Sequence, residues 1–324
     1  MEKRSRVVQQ LEGTCSSMNT HFSPEEHKKV LERCLDVPEA APSIPLPINM
    51  VGISEKTVWI RLPQGLIPFE CEIFVDLPKE YKGIHMSRME QAISELYHQD
   101  FEDLNQYCHR LARLILKGQR AKMAKVKVWG KLPQLFRSQI SQKDSTDFVH
   151  VFSHVTLSAN KAADKNDKKE SKSIKKRCKA GIGAYHITAC PCTQVYNKEL
   201  FGDNSQIPYP THSQRCLTWL EIETTDEPPS FSSLFECLAS CLHLSQDLLK
   251  RPDEAELVLR CHLEPQFAED VVRAVAMEAG KAFKNGNFGP ETVVRIKTTS
   301  FESIHRHNVQ CLLETPLKDL ASEG

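Results

Sequence analysis

The sequence predicts an α+β fold in which a ββ–αα–ββ unit occurs twice, each unit an antiparallel sheet with helices on one face. Three observations predict it. β-rich runs with partly alternating apolar residues come in pairs. Between the pairs lie stretches whose apolar residues recur every three to four positions. The same order runs through both halves of the 324-residue chain. A content of 40% hydrophobic and 26% charged residues belongs to a packed globular protein and excludes wholesale disorder or a fibrous repeat. Each unit is too thin to cover both faces of its sheet, so the pattern also predicts association between units, within the chain and between chains.

Residues 1–45 read as a polar N-terminal arm and linker. Within it Ser23-Pro24-Glu25-Glu26 predicts a capped helix through Leu35, with Ser as cap, Pro at the first position and acids in the first turn. The prolines from Pro38 to Pro47 end it. A first module is expected over 46–159. Its strands are TVWIRL (57–62) and FECEIFVDL (69–77), with Gln64-Gly65 between them as a turn. Two helical patterns follow, Met89/Ile93/Leu96 and Leu104/Cys108/Leu111/Ile115, then strands AKVKVWGKL (124–132) and DFVHVFSHVTL (147–157). The stretch 160–181 reads as a mobile Lys-rich insertion, with nine basic and three acidic residues over 161–179 and almost nothing apolar. A second module is expected over 182–324. It has strands AYHITAC (184–190) and CLTWLEIET (216–224). A long helical region follows, with stripes Phe231/Leu234/Leu238/Cys241 and Phe267/Val271/Ala274/Val275. Strands ETVVRIKTTSF (291–301) and VQCLLET (309–315) complete it.

Charge and cysteine usage narrow the function. Lys+Arg and Asp+Glu both number 42, so the net charge is zero and no whole-protein grip on nucleic acid or an acidic membrane is expected. The Lys-rich run lacks the interleaved aromatics of a nucleic-acid surface. No apolar run approaches the ~20 residues that span a bilayer. The N-terminal residues hold no apolar signal region, and the 12 cysteines are irregularly spaced. The expectation is a cytoplasmic protein with free thiols, most of them small buried hydrophobes such as Cys108, Cys237 and Cys241.

Cys190 and Cys192 stand apart. A Cys-x-Cys pair at a strand end can give one thiolate to a metal, and no second Cys-x-x-Cys or His-x₃₋₅-His completes a closed zinc site. The chemical alternative is a mixed Cys, His and carboxylate site with an open position that activates water. His212, Glu254 and Glu302 are available to complete it, and spacing alone equally allows a capping histidine and solvated acids. Glu302, His305 and His307 form a denser group. On an extended segment His305 and His307 would share a face, with Glu302 turned away. Two imidazoles suit proton transfer near neutral pH, and a solvated turn is the other reading.

In order along the chain, KGIHMSR, Cys190-Pro191-Cys192, THSQR, LLKRPDE, FAEDVVR and SFESIHRHN resemble the motifs of the GTP cyclohydrolase family, type I-B class. The resemblance covers roughly residues 45–315. It implies a tunnelling fold, with two such modules per chain in a barrel-like homotetramer and active sites at subunit interfaces. It implies hydrolytic opening of the guanine imidazole ring of GTP, with release of formate and formation of a dihydroneopterin phosphate for pterin or folate synthesis. Carried onto this sequence, Cys190, His212, Glu254 and Glu302 match the metal ligands. Cys190, His212, His305 and His307 match the catalytic group. Glu269 matches the carboxylate that holds the guanine edge, and His85, Arg88 and Arg215 fall in motifs expected to bind substrate. Pro210-Thr211-His212-Ser213 is closer to the branch that uses ferrous iron and makes the 2′,3′-cyclic phosphate. The other branch makes the triphosphate with zinc or manganese. A non-catalytic purine- or pterin-binding scaffold of the same fold is the alternative function.

Overall fold

In the computed structural model the described residues are 21–159, 174–203 and 205–320. The capping box of the first helix, α1 (Pro24–Leu31), is formed: the Ser23 hydroxyl accepts from the Glu26 N–H at 3.2 Å, and the Glu26 carboxylate accepts from the Ser23 N–H at 2.8 Å. The helix stops at Leu31 rather than Leu35. It buries none of its residues, so its cap and its own local contacts, such as Phe22 edge-on to His27 at 5.9 Å, hold it without support from the core.

Eight strands follow: β1 (Ile48–Leu62), β2 (Gly65–Leu77), β3 (Met123–Arg137), β4 (Asp144–Ala159), β5 (Ile174–Ala189), β6 (Ser213–Thr224), β7 (Val293–Phe301) and β8 (Val309–Pro316). They form a single antiparallel sheet whose spatial order is the chain order. The β1–β2 hairpin closes on Pro63-Gln64. Gly65 takes φ 129°, a backbone state that disfavours any side chain. The halves join where β4 pairs with β5, from His150↔Gly183 to Ala159↔Ile174. The two units therefore share one sheet and one continuous core. β5 begins at Ile174, so residues 174–181 of the expected insertion are strand. Cys178 and Ala180 point inward there and draw the flanking Lys and Arg residues into the ladder. Residues 160–173 lie outside the described part of the chain.

Helices cover one face. α2 (Met86–Leu96) and α3 (Leu104–Gly118) lie over the first half. α4 (Pro191–Phe201), α5 (Phe231–Ala239), α6 (Arg251–Leu263) and α7 (Ala268–Phe283) belong to the second. The inward residues of the strands, such as Val126, Val155, Ile182 and Leu220, meet Leu111, Ile115, Leu234 and Val275 from the helices. The opposite face is half-buried, polar and aromatic. There Lys179 pairs with Glu221 at 2.6 Å, and Lys127 lies 4.6 Å from the centroid of the Trp129 ring. No helix of the described residues is long and apolar enough to cross a membrane.

α4 has no counterpart in the sequence reading, and α6 lies inside the expected long helical region without a stripe of its own. α4 buries no residue at all and α6 buries only Asp253 and Cys261, so neither carries an apolar stripe facing the core.

Candidate active site

The second half gathers its reactive side chains at one end of the sheet. β5 ends at Ala189, which pairs with Ser213 at the start of β6, and Arg215 of β6 pairs with Phe301 at the end of β7. Cys190, His212 and Glu302 are the residues just beyond these three strand ends. Each is held by its neighbours. The Cys190 N–H donates to the His212 carbonyl at 3.0 Å, and the Thr211 hydroxyl donates to the Cys190 carbonyl at 2.7 Å. Glu302 accepts from the Ser300 hydroxyl at 2.8 Å.

The orientation of His212 is fixed by Gln214, a residue of the THSQR motif to which the sequence alone assigns no role. Gln214 donates its amide N–H to the Thr188 hydroxyl at 3.1 Å, so its carbonyl oxygen faces His212 Nδ1, 3.1 Å away. The proton of the neutral imidazole must then sit on Nδ1, which leaves a lone pair on Nε2 for a metal or a proton. Thr188 continues inward to the Cys216 thiol at 3.5 Å, whose pKa burial raises. Membership of the THSQR motif marks Gln214 without assigning it a role, because an amide is chemically ordinary until its partners are known.

Residues 302–308 form the β7–β8 turn instead of an extended segment. The turn nevertheless stacks the rings of His305 and His307, with centroids 5.2 Å apart and planes at 14°, and sets His305 edge-on to His212 at 6.4 Å. All three imidazoles thus meet at the mouth of the β6–β7 pair. Arg215 lies there too, its guanidinium 5.2 Å from the centroid of the Tyr185 ring.

Two helix N-termini show a common division of labour. On α7, Asp270 accepts from the Phe267 N–H at 3.1 Å and caps the helix, leaving the adjacent Glu269 exposed with no capping duty. The Gln266 N–H donates to the Ala189 carbonyl at 3.1 Å, which ties this helix start to the end of β5 beside Cys190. On α6, Asp253 caps through the Lys250 N–H at 3.1 Å, and the adjacent Glu254 is exposed. The second oxygen of Asp253 also accepts from the Ile140 and Ser141 N–H groups, each at 3.0 Å, which pins the β3–β4 hairpin tip to α6. Donation from the Ser141 hydroxyl and backbone, then from Lys250 and Ile140, pulls the Asp253 pKa down to about 2.

Within one chain these groups do not close around a single point. Among the described residues, the only three or more His, Cys, Asp or Glu side chains with ligand atoms within 4.8 Å of one another are Asp36, Glu39 and His85. Cys190, His212, Glu254 and Glu302 are not drawn together in this way. Glu254 lies eight residues, ~12 Å of helix, before His262, whose carbonyl accepts from Gln194 of α4 at 2.7 Å. His85 and Arg88 stand at the other end of the sheet. His85 precedes α2 and exchanges hydrogen bonds with Gln119, near the start of β3. Its imidazole lies 3.6 Å from Asp36 and 3.7 Å from Glu39, while Arg120 makes paired hydrogen bonds to Glu39 at 3.1 and 3.2 Å. That guanidinium already neutralises the carboxylate a cation would need.

Comparison with known proteins places the chain. A family model described as type I GTP cyclohydrolase folE2 matches residues 34–311. The chain belongs to this family. It is therefore an enzyme of the GTP cyclohydrolase kind. A relative named GTP cyclohydrolase MptA from Methanobrevibacter smithii is 30% identical over 90% of this chain and 98% of its own. One of the same name from Methanocaldococcus jannaschii is 29% identical over 85% of this chain and 93% of its own. Among solved structures the chain is similar to a uricase from Bacillus fastidious, with TM-score 0.48 and 8% identity over 84% of this chain and 94% of that one. A uricase from Arthrobacter globiformis matches with TM-score 0.47 and 8% identity over 87% and 98%.

Proposed function

We propose that this protein is a metal-dependent GTP cyclohydrolase of the type I-B class. It opens the guanine imidazole ring by hydrolysis, releases C8 as formate and yields a 7,8-dihydroneopterin phosphate, with the 2′,3′-cyclic phosphate favoured over the triphosphate. The observation that carries the reading is the convergence of Cys190, His212, Glu302 and His305 at one sheet end, with Gln214 fixing the imidazole tautomer, in a chain of this family.

The donor set fits a divalent ion: a half-buried thiol, an imidazole with its Nε2 lone pair free, and carboxylates. Cys190, His212, Glu254 and Glu302 would hold it, with Fe2+ favoured and Zn2+ or Mn2+ also compatible. When bound, such an ion supplies an activated water and Lewis acidity. The chain's own residues do the rest. Glu269 accepts the purine N1–H and 2-amino hydrogens and so selects guanine. His305 and His307, stacked beside His212, take and return protons at the opening ring. Arg215, Arg88 and His85 offer positive charge or donors to the triphosphate.

His85 and Arg88 can join this site only from a second copy, which supports a homo-oligomer with shared active sites, a tetramer in our reading. The outward residues of α4 support it as well: Val195, Tyr196, Leu200 and Phe201 are each at least 60% exposed. The 11 described cysteines are free, which supports a cytoplasmic setting. The test is anaerobic incubation with GTP and Fe2+, Mn2+ or Zn2+ in parallel, with mass spectrometry of the pterin and assay of formate. Absence of both products with every metal would overturn the proposal.

A further inference from the structure

α6 is a helix that the core does not hold. It buries only Asp253 and Cys261, and none of its side chains belongs to the apolar core of the described residues. Apolar packing has no direction and would not in any case set how such a helix is turned. Directional polar ties do so instead, and they come from the first half of the chain. Asp253, 5% exposed, accepts from the Ile140 and Ser141 N–H groups of the β3–β4 hairpin tip, each at 3.0 Å. Its other oxygen caps α6 through the Lys250 N–H. Two turns on, the Arg260 guanidinium donates to the side-chain carbonyl of Gln139 on the same tip at 3.2 Å. Residues seven apart share one face of a helix, ~10 Å apart along its axis, so the two ties fix both the place and the direction of α6. A single tie would leave a pivot.

The tip is closed on itself. The Ser138 N–H donates to the Lys143 carbonyl at 2.9 Å, the Lys143 N–H donates back to the Ser138 hydroxyl at 3.0 Å, and the hydroxyls of Ser138 and Ser141 lie 2.8 Å apart. It thus presents two successive N–H groups to one carboxylate oxygen from a firm base. At the far end of α6 the His262 carbonyl accepts from Gln194 of α4, the helix whose N-cap is Cys190. α6 is therefore held between the first half's hairpin and the helix that starts at Cys190. Glu254 follows Asp253 by ~100° around α6 and is exposed. One acid holds the helix and the other is carried by it. A helix that adds so little to the core, and is still tied at three places, is held for what it carries.

We propose that Asp253 is a positioning residue, through which the β3–β4 hairpin tip of the first half places Glu254 for metal binding in the second. The inference rests on the proposed function, in which Glu254 is a metal ligand. The test is Mn2+ binding by the full chain, read from the electron paramagnetic resonance of the free ion at a temperature well below unfolding. Asp253→Asn keeps the side chain's shape but sets an N–H donor where an acceptor is needed, and should weaken Mn2+ binding ~10–100-fold, as for other groups that orient a ligand. Asp253→Ser keeps an acceptor for the Lys250 N–H, is too short to reach the tip, and should weaken it as much. Glu254→Ala should weaken it at least as strongly. Adding Asp253→Asn to Glu254→Ala should then weaken it by no more than ~2-fold further, because effects that act through one residue do not add. A purely structural Asp253 would instead lower the thermal midpoint and leave the Mn2+ affinity of the folded chain at the parent's value. Mere loss of a negative charge would weaken binding equally with and without Glu254. Either result overturns the proposal, as does parent-like affinity in Asp253→Ser. Parent-like affinity in Glu254→Ala would remove Glu254 from the proposed ligand set, and so overturn that reading together with this one.

Discussion

The two halves of the sheet share an order of elements and differ in what they bury. In the first half the inward positions of β2 and β3 are Phe69, Cys71, Ile73 and Val75 facing Ala124, Val126 and Val128, all closed to solvent. In the second half the same face carries a polar thread. His186 Nε2 lies 2.8 Å from the Thr218 hydroxyl, Thr218 lies 2.8 Å from Thr298, and Thr224 lies 3.0 Å from Thr292. Thr188 and Gln214 carry polar contacts on to His212. The first half is built as hydrocarbon packing. The second gives up part of that packing to orient side chains at its open end. An arrangement of this kind is costly when half-made, because each buried hydroxyl needs its partner.

Substitutions can break this contrast. The largest effect is expected at the site: Cys190→Ala should lower dihydropterin formation by roughly 10³-fold or more, with circular dichroism and thermal midpoint near those of the parent. Activity within tenfold of the parent would remove Cys190 from the chemistry. Next comes the first half's core. Leu111→Ala should cost ~2–5 kcal/mol in denaturant unfolding, since Leu111 is 0% exposed beneath the sheet. Gln214→Leu should lower kcat or metal affinity ~10–100-fold while the chain stays folded, as expected for a group that orients a ligand. An unchanged kcat with lost stability would assign Gln214 to the polar thread alone. Gly183→Ala should cost ~1–3 kcal/mol, because a Cβ there would stand 2.7 Å from the Trp219 ring.

Acid should separate the halves further. Burial, then the neighbouring His243, pushes the His186 pKa down to about 3. The unfolded chain binds that proton near pH 6.5, so it holds more protons than the folded chain between these values. The stability His186 contributes is therefore complete above about pH 6.5 and is lost as pH falls toward 3, with a slope of up to ~1.4 kcal/mol per pH unit. Asp253 adds a loss only below about pH 4, as its carboxylate protonates. Unfolding midpoints of the parent and His186→Phe between pH 7 and 4 test this, and the variant should show the shallower slope. Equal slopes would mean that the second half's buried imidazole does not govern its acid sensitivity.

Much of the fold was legible because strand alternation and helical spacing are strong where one face is buried. All eight strands and helices α2, α3, α5 and α7 follow from such patterns. β1 starts at Ile48, earlier than its legible part at 57. Register shifts at 48–51 and 53–56, with Glu55 at φ 55°, interrupt the alternation there. α4 was invisible, and α6 was covered only by the expected long helical region, because neither turns an apolar stripe to the core. At the site, Cys190, His212, Glu302 and His305 were legible as reactive residue types at strand ends. Their grouping follows from register, which one sequence does not print. Asp253 and Gln214 gain meaning only from what they touch, one a hairpin tip more than 100 residues away, the other a threonine on the next strand.

The meander has a consequence for how such a protein is made. Every strand lies against the one synthesised just before it, so no segment waits for a distant partner before it can pair. Growth of the sheet can keep pace with translation, module by module. A change that slows its birth should then act near the hairpin just leaving the ribosome, and stretches inserted between strand ends can lengthen without delaying the pairing of what came before.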